Sequence, residues 1–94
     1  MATLYNDNVM RAGVKIGYYE GTSFFDESGK RVGYYENNRI YDENGNERGY
    51  VENDKVYHTD GSLYDEVEKV RQHVNSGNYS EMPCAAVGIL FGWD

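Results

Sequence analysis

The chain has 94 residues, the length of one small domain. Hydrophobic residues make up 39%, eleven glycines stand against one proline, and there are ten tyrosines, a composition that excludes collagen-like, proline-rich and membrane-spanning chains. Sixteen acidic against nine basic residues give a net charge of −7, which disfavours sequence-independent binding to nucleic acid or to an anionic membrane surface.

The N-terminal residues Met1 to Asn8 contain neither a basic stretch nor an apolar one, so no secretory leader is expected. A cytoplasmic setting, in a bacterium or a phage-infected cell, is the default expectation. From Gly13 onward the chain keeps a strict interval. Gly13, Gly29, Gly45 and Gly61 are each 16 residues apart, and so are Gly17, Gly33 and Gly49. Tyr18, Tyr34 and Tyr50 follow the second glycine set, Glu20, Glu36 and Glu52 come two residues later, and Phe25, Tyr41 and Tyr57 complete the pattern. A period of this kind marks a stacked or ring-forming repeat. Tyr5 to Met10 matches Glu36 to Tyr41 as a degenerate first unit, in which Arg11-Ala12 stands in for a three-residue turn before Gly13.

Each unit carries two turn signals. Asn6-Asp7, Gly21-Thr22, Asn37-Asn38 and Asn53-Asp54 suit two-residue turns with positive φ. Asp26 to Gly29, Asp42 to Gly45 and His58 to Gly61 suit longer turns closed by a left-handed glycine, with a bulge. The pieces between turns are rich in Tyr, Ile, Val and Phe, which is strand composition. Four β-hairpins in series over 1–61 are therefore expected. One hairpin is marginal alone, so the units must bury a face against one another, and a compact pseudo-four-fold arrangement protects the edges. Alternation places Phe24, Ile40 and Val56 toward the centre and the column tyrosines between neighbouring hairpins. Gly17, Gly33 and Gly49 lack side chains where crowding should be greatest.

The interval ends near Ser62. Leu63, Val67, Val70 and Val74 share one helical face, which predicts an amphipathic helix from Ser62 or Leu63 through Asn75, stopping at Gly77. Met82 to Trp93 has no polar face, and Ser80 with Pro83 in the first turn predicts a short second helix. A segment apolar all round must be buried, either as a plug in the repeat or between subunits. The expected whole is one domain over 1–94, mainly β with a C-terminal α-helical segment over 62–94.

Gly33-Tyr34-Tyr35-Glu36-Asn37-Asn38-Arg39-Ile40-Tyr41-Asp42-Glu43-Asn44-Gly45 and Gly49-Tyr50-Val51-Glu52-Asn53-Asp54-Lys55-Val56-Tyr57 resemble the units of the bacterial four-fold β-flower proteins. The resemblance covers roughly Tyr5 to Tyr64. It implies four petal-like hairpins about a pseudo-four-fold axis, and it implies no established activity and no catalytic residue. The first unit departs from the pattern by lacking the Gly-Tyr start.

No constellation in the chain reads as a catalytic or metal site. Asp42-x-Asn44-Gly45-x-Glu47 has too few oxygens for a calcium loop, so the turn reading is preferred. His58 and His73 lack zinc-ligand spacing, and Cys84 reads as a small buried apolar residue that cannot form an internal disulfide. Neither cofactor nor metal is expected. The repeated Glu20, Glu36 and Glu52 read as a solvated column with Arg39 and Lys55 as cross-strand partners. Tyr18, Tyr34, Tyr50, Tyr41 and Tyr57 are the candidate binding surface, because tyrosine gives contact area with a polar handle. Ile89, Leu90, Phe91 and Trp93 are the candidate interface. The expectation is a non-enzymatic module that binds a protein partner or self-associates through its apolar tail. A binder of a small ligand, a sugar or a nucleotide, is the alternative.

Overall fold

The computed structural model describes residues 2–66 and 81–92. The sheet is a nine-stranded antiparallel meander, β1 (Ala2–Tyr5), β2 (Asn8–Arg11), β3 (Val14–Glu20), β4 (Ser23–Asp26), β5 (Arg31–Glu36), β6 (Arg39–Asp42), β7 (Glu47–Glu52), β8 (Lys55–His58) and β9 (Leu63–Glu66), each strand bonded to its sequence neighbours. Among the described residues, one helix, α1 (Glu81–Phe91), follows. Val67, Val70, Val74, His73, Gly77, Ser80 and Trp93, on which sequence expectations rest, lie outside the described residues.

The turns follow from the residues that tolerate positive φ. Asn6 and Asp7 have φ of 50° and 64°, and Asn53 and Asp54 have 51° and 63°, the primed geometry whose twist matches that of the strands it joins. The longer turns also repeat. The Gly29 N–H donates to the Asp26 carbonyl at 3.0 Å, the Gly45 N–H to Asp42 at 3.1 Å, and the Gly61 N–H to His58 at 3.0 Å. A register shift accompanies each turn, between Phe24 and Phe25, Ile40 and Tyr41, and Val56 and Tyr57. In the first unit Arg11 ends β2, and the two-residue turn is Ala12-Gly13, with a bulge at Val9 and Met10.

The core is four-fold in its chemistry. Val9, Phe24, Ile40 and Val56, one from the second strand of each hairpin, are completely buried. Leu4, Tyr19, Tyr35 and Val51 hold the matching first-strand positions. Each junction between hairpins repeats one backbone bond: Tyr19 N–H to the Asp7 carbonyl, Tyr35 N–H to Thr22 and Val51 N–H to Asn38, at 2.8, 3.0 and 2.9 Å. Gly17, Gly33 and Gly49 line the same interior. A Cβ on Gly33 would lie 2.5 Å from the Tyr41 carbonyl oxygen, and one on Gly49 would lie 2.6 Å from that of Tyr57. Ala2, paired with Arg11 as Gly33 is with Asp42, holds the fourth position of this column. The smallest side chains therefore form a ring of notches.

The last turn of α1 fills the three glycine notches. Ile89 meets Gly49, Leu90 meets Gly33, and Phe91 meets Gly17. Successive helix residues rotate by about 100°, close to the 90° of a four-fold, so three consecutive side chains reach three consecutive hairpins. That match requires the helix end to lie near the pseudo-four-fold axis. Phe91 also meets Phe24 edge to face at 6.2 Å. Met82 to Gly88 are buried all round, as an all-apolar helix demands. Of the two readings of the tail, this structure has α1 as a plug in its own repeat.

The helix start predicted at Leu63 is corrected. Leu63 to Glu66 form β9, which pairs with β8 in the register Lys55↔Glu66, Val56↔Asp65 and Tyr57↔Leu63. Gly61 closes a turn like the two before it and hands the chain to one more strand, which satisfies the open backbone edge of β8. Leu63 is 52% exposed, so it does not start a buried helical face.

Candidate functional site

The outward faces of the hairpins carry the candidate tyrosines. Tyr18 stacks on Phe25, Tyr34 on Tyr41 and Tyr50 on Tyr57, with ring centroids 4.9, 5.1 and 5.1 Å apart. Each pair spans the two strands of one hairpin, in the registers Tyr18↔Phe25, Tyr34↔Tyr41 and Tyr50↔Tyr57. This corrects the expected packing between hairpins, because the stacking partner is cross-strand. A cation covers each column ring: Lys15 at 5.3 Å from Tyr18, Arg31 at 4.2 Å from Tyr34 and Arg39 at 5.6 Å from Tyr50. Each column ring thus has an aromatic and a cation as neighbours. The tyrosine hydroxyls reach the following turns, where Cβ atoms on Gly29, Gly45 and Gly61 would lie 3.7, 3.7 and 3.8 Å from them. The result is a half-buried girdle of repeated aromatic pairs, with a cation over each column tyrosine supplied from its own strand for Tyr18 and Tyr34 and from the preceding hairpin for Tyr50.

The inner tyrosines make the contacts between hairpins. Tyr19 and Tyr35, 16 residues apart, share a hydroxyl–hydroxyl hydrogen bond of 2.8 Å, and Tyr19 stacks on Phe24. The repeat interval contains both residues, but the shared bond depends on how neighbouring hairpins tilt, which the interval does not specify.

Glu20, Glu36 and Glu52 are exposed, and the last two stand opposite Arg39 and Lys55 as expected. The ion pair of Arg39, however, is with Glu47 on β7, which joins the third hairpin to the fourth. The hydrogen bond from Arg39 to Glu47 raises the guanidinium pKa further above its usual range. In the longer turns the aspartates hold backbone. Asp26 Oδ1 accepts from the N–H groups of Ser28 and Lys30 at 2.9 and 3.0 Å, and Asp42 Oδ1 does the same from Asn44 and Asn46. Asp60 accepts from the Ser62 N–H at 2.8 Å. Hydroxyl donation by Ser28 and Ser62 lowers the carboxyl pKa values of Asp26 and Asp60.

Clefts lie between adjacent hairpins, two of them in related positions. One, of about 310 Å³, is lined by Glu36, Asn38, Arg39, Tyr50 and Glu52 among others. The other, of about 400 Å³, is lined by Asp7, Asn8, Lys15, Tyr18 and Glu20. They occupy equivalent places in the repeat, since Tyr18 and Glu20 correspond to Tyr50 and Glu52, and Asn8 corresponds to Arg39.

The end of α1 gathers groups from both ends of the sheet. Arg11 on β2 donates through Nη2 to the carbonyls of Phe91 and Gly92, the latter at 3.1 Å. The Tyr64 hydroxyl on β9 donates to the Gly88 carbonyl at 3.2 Å. A cation at a helix C-terminus is favoured by the backbone dipole. Gly92, with φ of 84°, donates its N–H to the Gly88 carbonyl and closes the helix. These two ties were not visible in the sequence, because Arg11 and Tyr64 belong to no column that marks them as helix partners. Of the candidate interface residues, Ile89, Leu90 and Phe91 pack on the chain's own glycines. Cys84 is completely buried, and His58 lies exposed against the Tyr64 ring at 4.7 Å.

The family model described as 4-fold beta flower protein matches residues 22–70, just over half of the chain, and the chain belongs to that family. No curated protein and no solved structure matches it. Among the described residues, no helix is long and apolar enough to cross a membrane.

Proposed function

We propose that this β-flower protein is a non-enzymatic, cytoplasmic interaction module that binds a protein partner through the outward faces of its hairpins. The observation that carries this reading is the girdle: three equivalent hairpins each present one half-exposed aromatic pair in one orientation, on the face that the core does not use. Stacked, cation-backed rings are pre-ordered, so binding through them loses little side-chain entropy. Four carboxylates serve the fold, Asp26, Asp42 and Asp60 in turns and Glu47 with Arg39. Capture by cross-linking, followed by calorimetry of the purified partner with wild type and with a Tyr34→Thr/Tyr50→Thr variant, tests it. The reading expects binding to be lost in a variant that still folds. A partner that binds both proteins equally overturns it.

A small-ligand reading is favoured by one observation, the equivalence of the two inter-hairpin clefts. Their volumes fall at the small end of the range for ligand pockets. A thermal-shift panel of sugars and nucleotides discriminates, since an upward shift abolished by Tyr50→Ala supports a cleft and a flat response removes it.

A further inference from the structure

We propose that α1 docks in trans as well as in cis, so that two copies of the chain exchange C-terminal helices and each fills the other's glycine notches. The proposal extends the interaction-module reading by naming a second copy as the partner. It uses the inner face and makes no use of the outward tyrosines.

Among the described residues, the groups that receive the last turn of α1 lie on the sheet. Gly17, Gly33 and Gly49 form the notches, and Arg11 and Tyr64 hold the terminal carbonyls. All five are present on any second copy in the same places. None of these contacts needs chain continuity, since Arg11 and its acceptor carbonyls on Phe91 and Gly92 are 80 and 81 residues apart. The helix itself has no face suited to water, because Met82 to Gly88 are buried all round. Once α1 leaves its own sheet, the surface that fits it is the sheet of another copy. Chain length permits the exchange. Fourteen residues separate Glu66 from Glu81, and extended chain covers at most about 3.3–3.6 Å per residue, so roughly 46–50 Å is within reach. The largest dimension of the molecule is 31 Å. Exchange keeps the contacts of α1 and changes only which chain supplies it, the usual low-cost route to a dimer.

Complementation between two full-length variants tests the proposal. Leu90→Asp spoils the plug and leaves the notches, while Gly33→Leu blocks a notch and leaves the plug. The two are unfolded and refolded together in equal amounts. The mixture is expected to gain a melting transition at the wild-type temperature, absent from either variant alone, and a heterodimer in native mass spectrometry. A mixture that melts as the sum of its parts, with no heterodimer, overturns exchange. Should either variant fail to refold, isotopically heavy and light wild-type chains refolded together decide the matter. Heavy–light dimers that persist on dilution and dissociate only on unfolding support exchange, and monomers at every concentration overturn it. Neither result depends on Tyr34 or Tyr50, so failure here and failure of the outward-face reading are separable.

Discussion

Replacing Gly33 by alanine adds one methyl group at the most crowded point of the repeat. That carbon would sit 2.5 Å from the Tyr41 carbonyl oxygen and 2.7 and 2.8 Å from the two Leu90 methyl carbons. Leu90 is half-buried and can turn aside. The Tyr41 carbonyl is part of the β5–β6 ladder, which holds Gly33 opposite Asp42 and Tyr34 opposite Tyr41. Relief must therefore come from backbone movement. Overpacking of this kind costs about 1–3 kcal/mol, against roughly 0.5–1 kcal/mol gained because alanine restricts the unfolded chain. The difference spans roughly 0–2.5 kcal/mol, so the central expectation is a loss of about 1 kcal/mol, or about 4–8 °C in melting temperature for a domain of this size. Urea titration followed by circular dichroism, with a thermal melt beside it, measures both. The double variant Gly33→Ala/Leu90→Ala should show non-additive losses, since contacting residues couple by about 0.5–3 kcal/mol. A Gly33→Ala protein more stable than wild type, or strictly additive losses in the double variant, would refute the notch.

Phe24→Ala, which empties the largest fully buried side-chain position, should cost about 3–5 kcal/mol in urea unfolding. Arg11→Met removes the donor to the Phe91 and Gly92 carbonyls and should lose about 1–2 kcal/mol, read from the same titration. Asp54→Gly places glycine at a φ of 63° in an Asn-led turn and should raise the melting temperature by a few degrees, roughly the effect of relieving a left-handed residue. NMR titration should find the Asp26 and Asp60 carboxyls below the ordinary aspartate range, with Ser28→Ala and Ser62→Ala moving them back up. Because the folded pKa values are depressed, their contribution to stability is present above the unfolded carboxyl pKa and is lost as pH falls through the folded values.

Much of this fold can be read from residue chemistry at a fixed interval. Asn and Asp pairs and spaced glycines specify turns through backbone conformations that few other residues accept, and the turns specify hairpins. Alternation then places Phe24, Ile40 and Val56 inside, where all three are completely buried. What was hidden depends on the third dimension. Leu63 satisfies a helical spacing and a strand equally, and the open edge of β8 decides between them. The tyrosine columns are visible as columns, but which neighbour each ring stacks on is set by cross-strand register. The apolar tail announces burial without announcing where. Its docking rests on the near equality of a helix step and a quarter turn, and on Arg11, whose partners lie at the far end of the chain. The candidate outward surface was thus legible as a set of residues, whereas its geometry and the two ties on α1 were not.

Three side chains of one helical turn enter three glycine notches of the same repeat. Nuclear Overhauser contacts in solution test this directly. Contacts are expected from Ile89 to the Gly49 α-protons, from Leu90 methyls to those of Gly33, and from the Phe91 ring to those of Gly17. Their presence in either the same chain or an exchanged partner upholds the plug. Their absence in a folded protein, or contacts from all three side chains to a single hairpin, would contradict it.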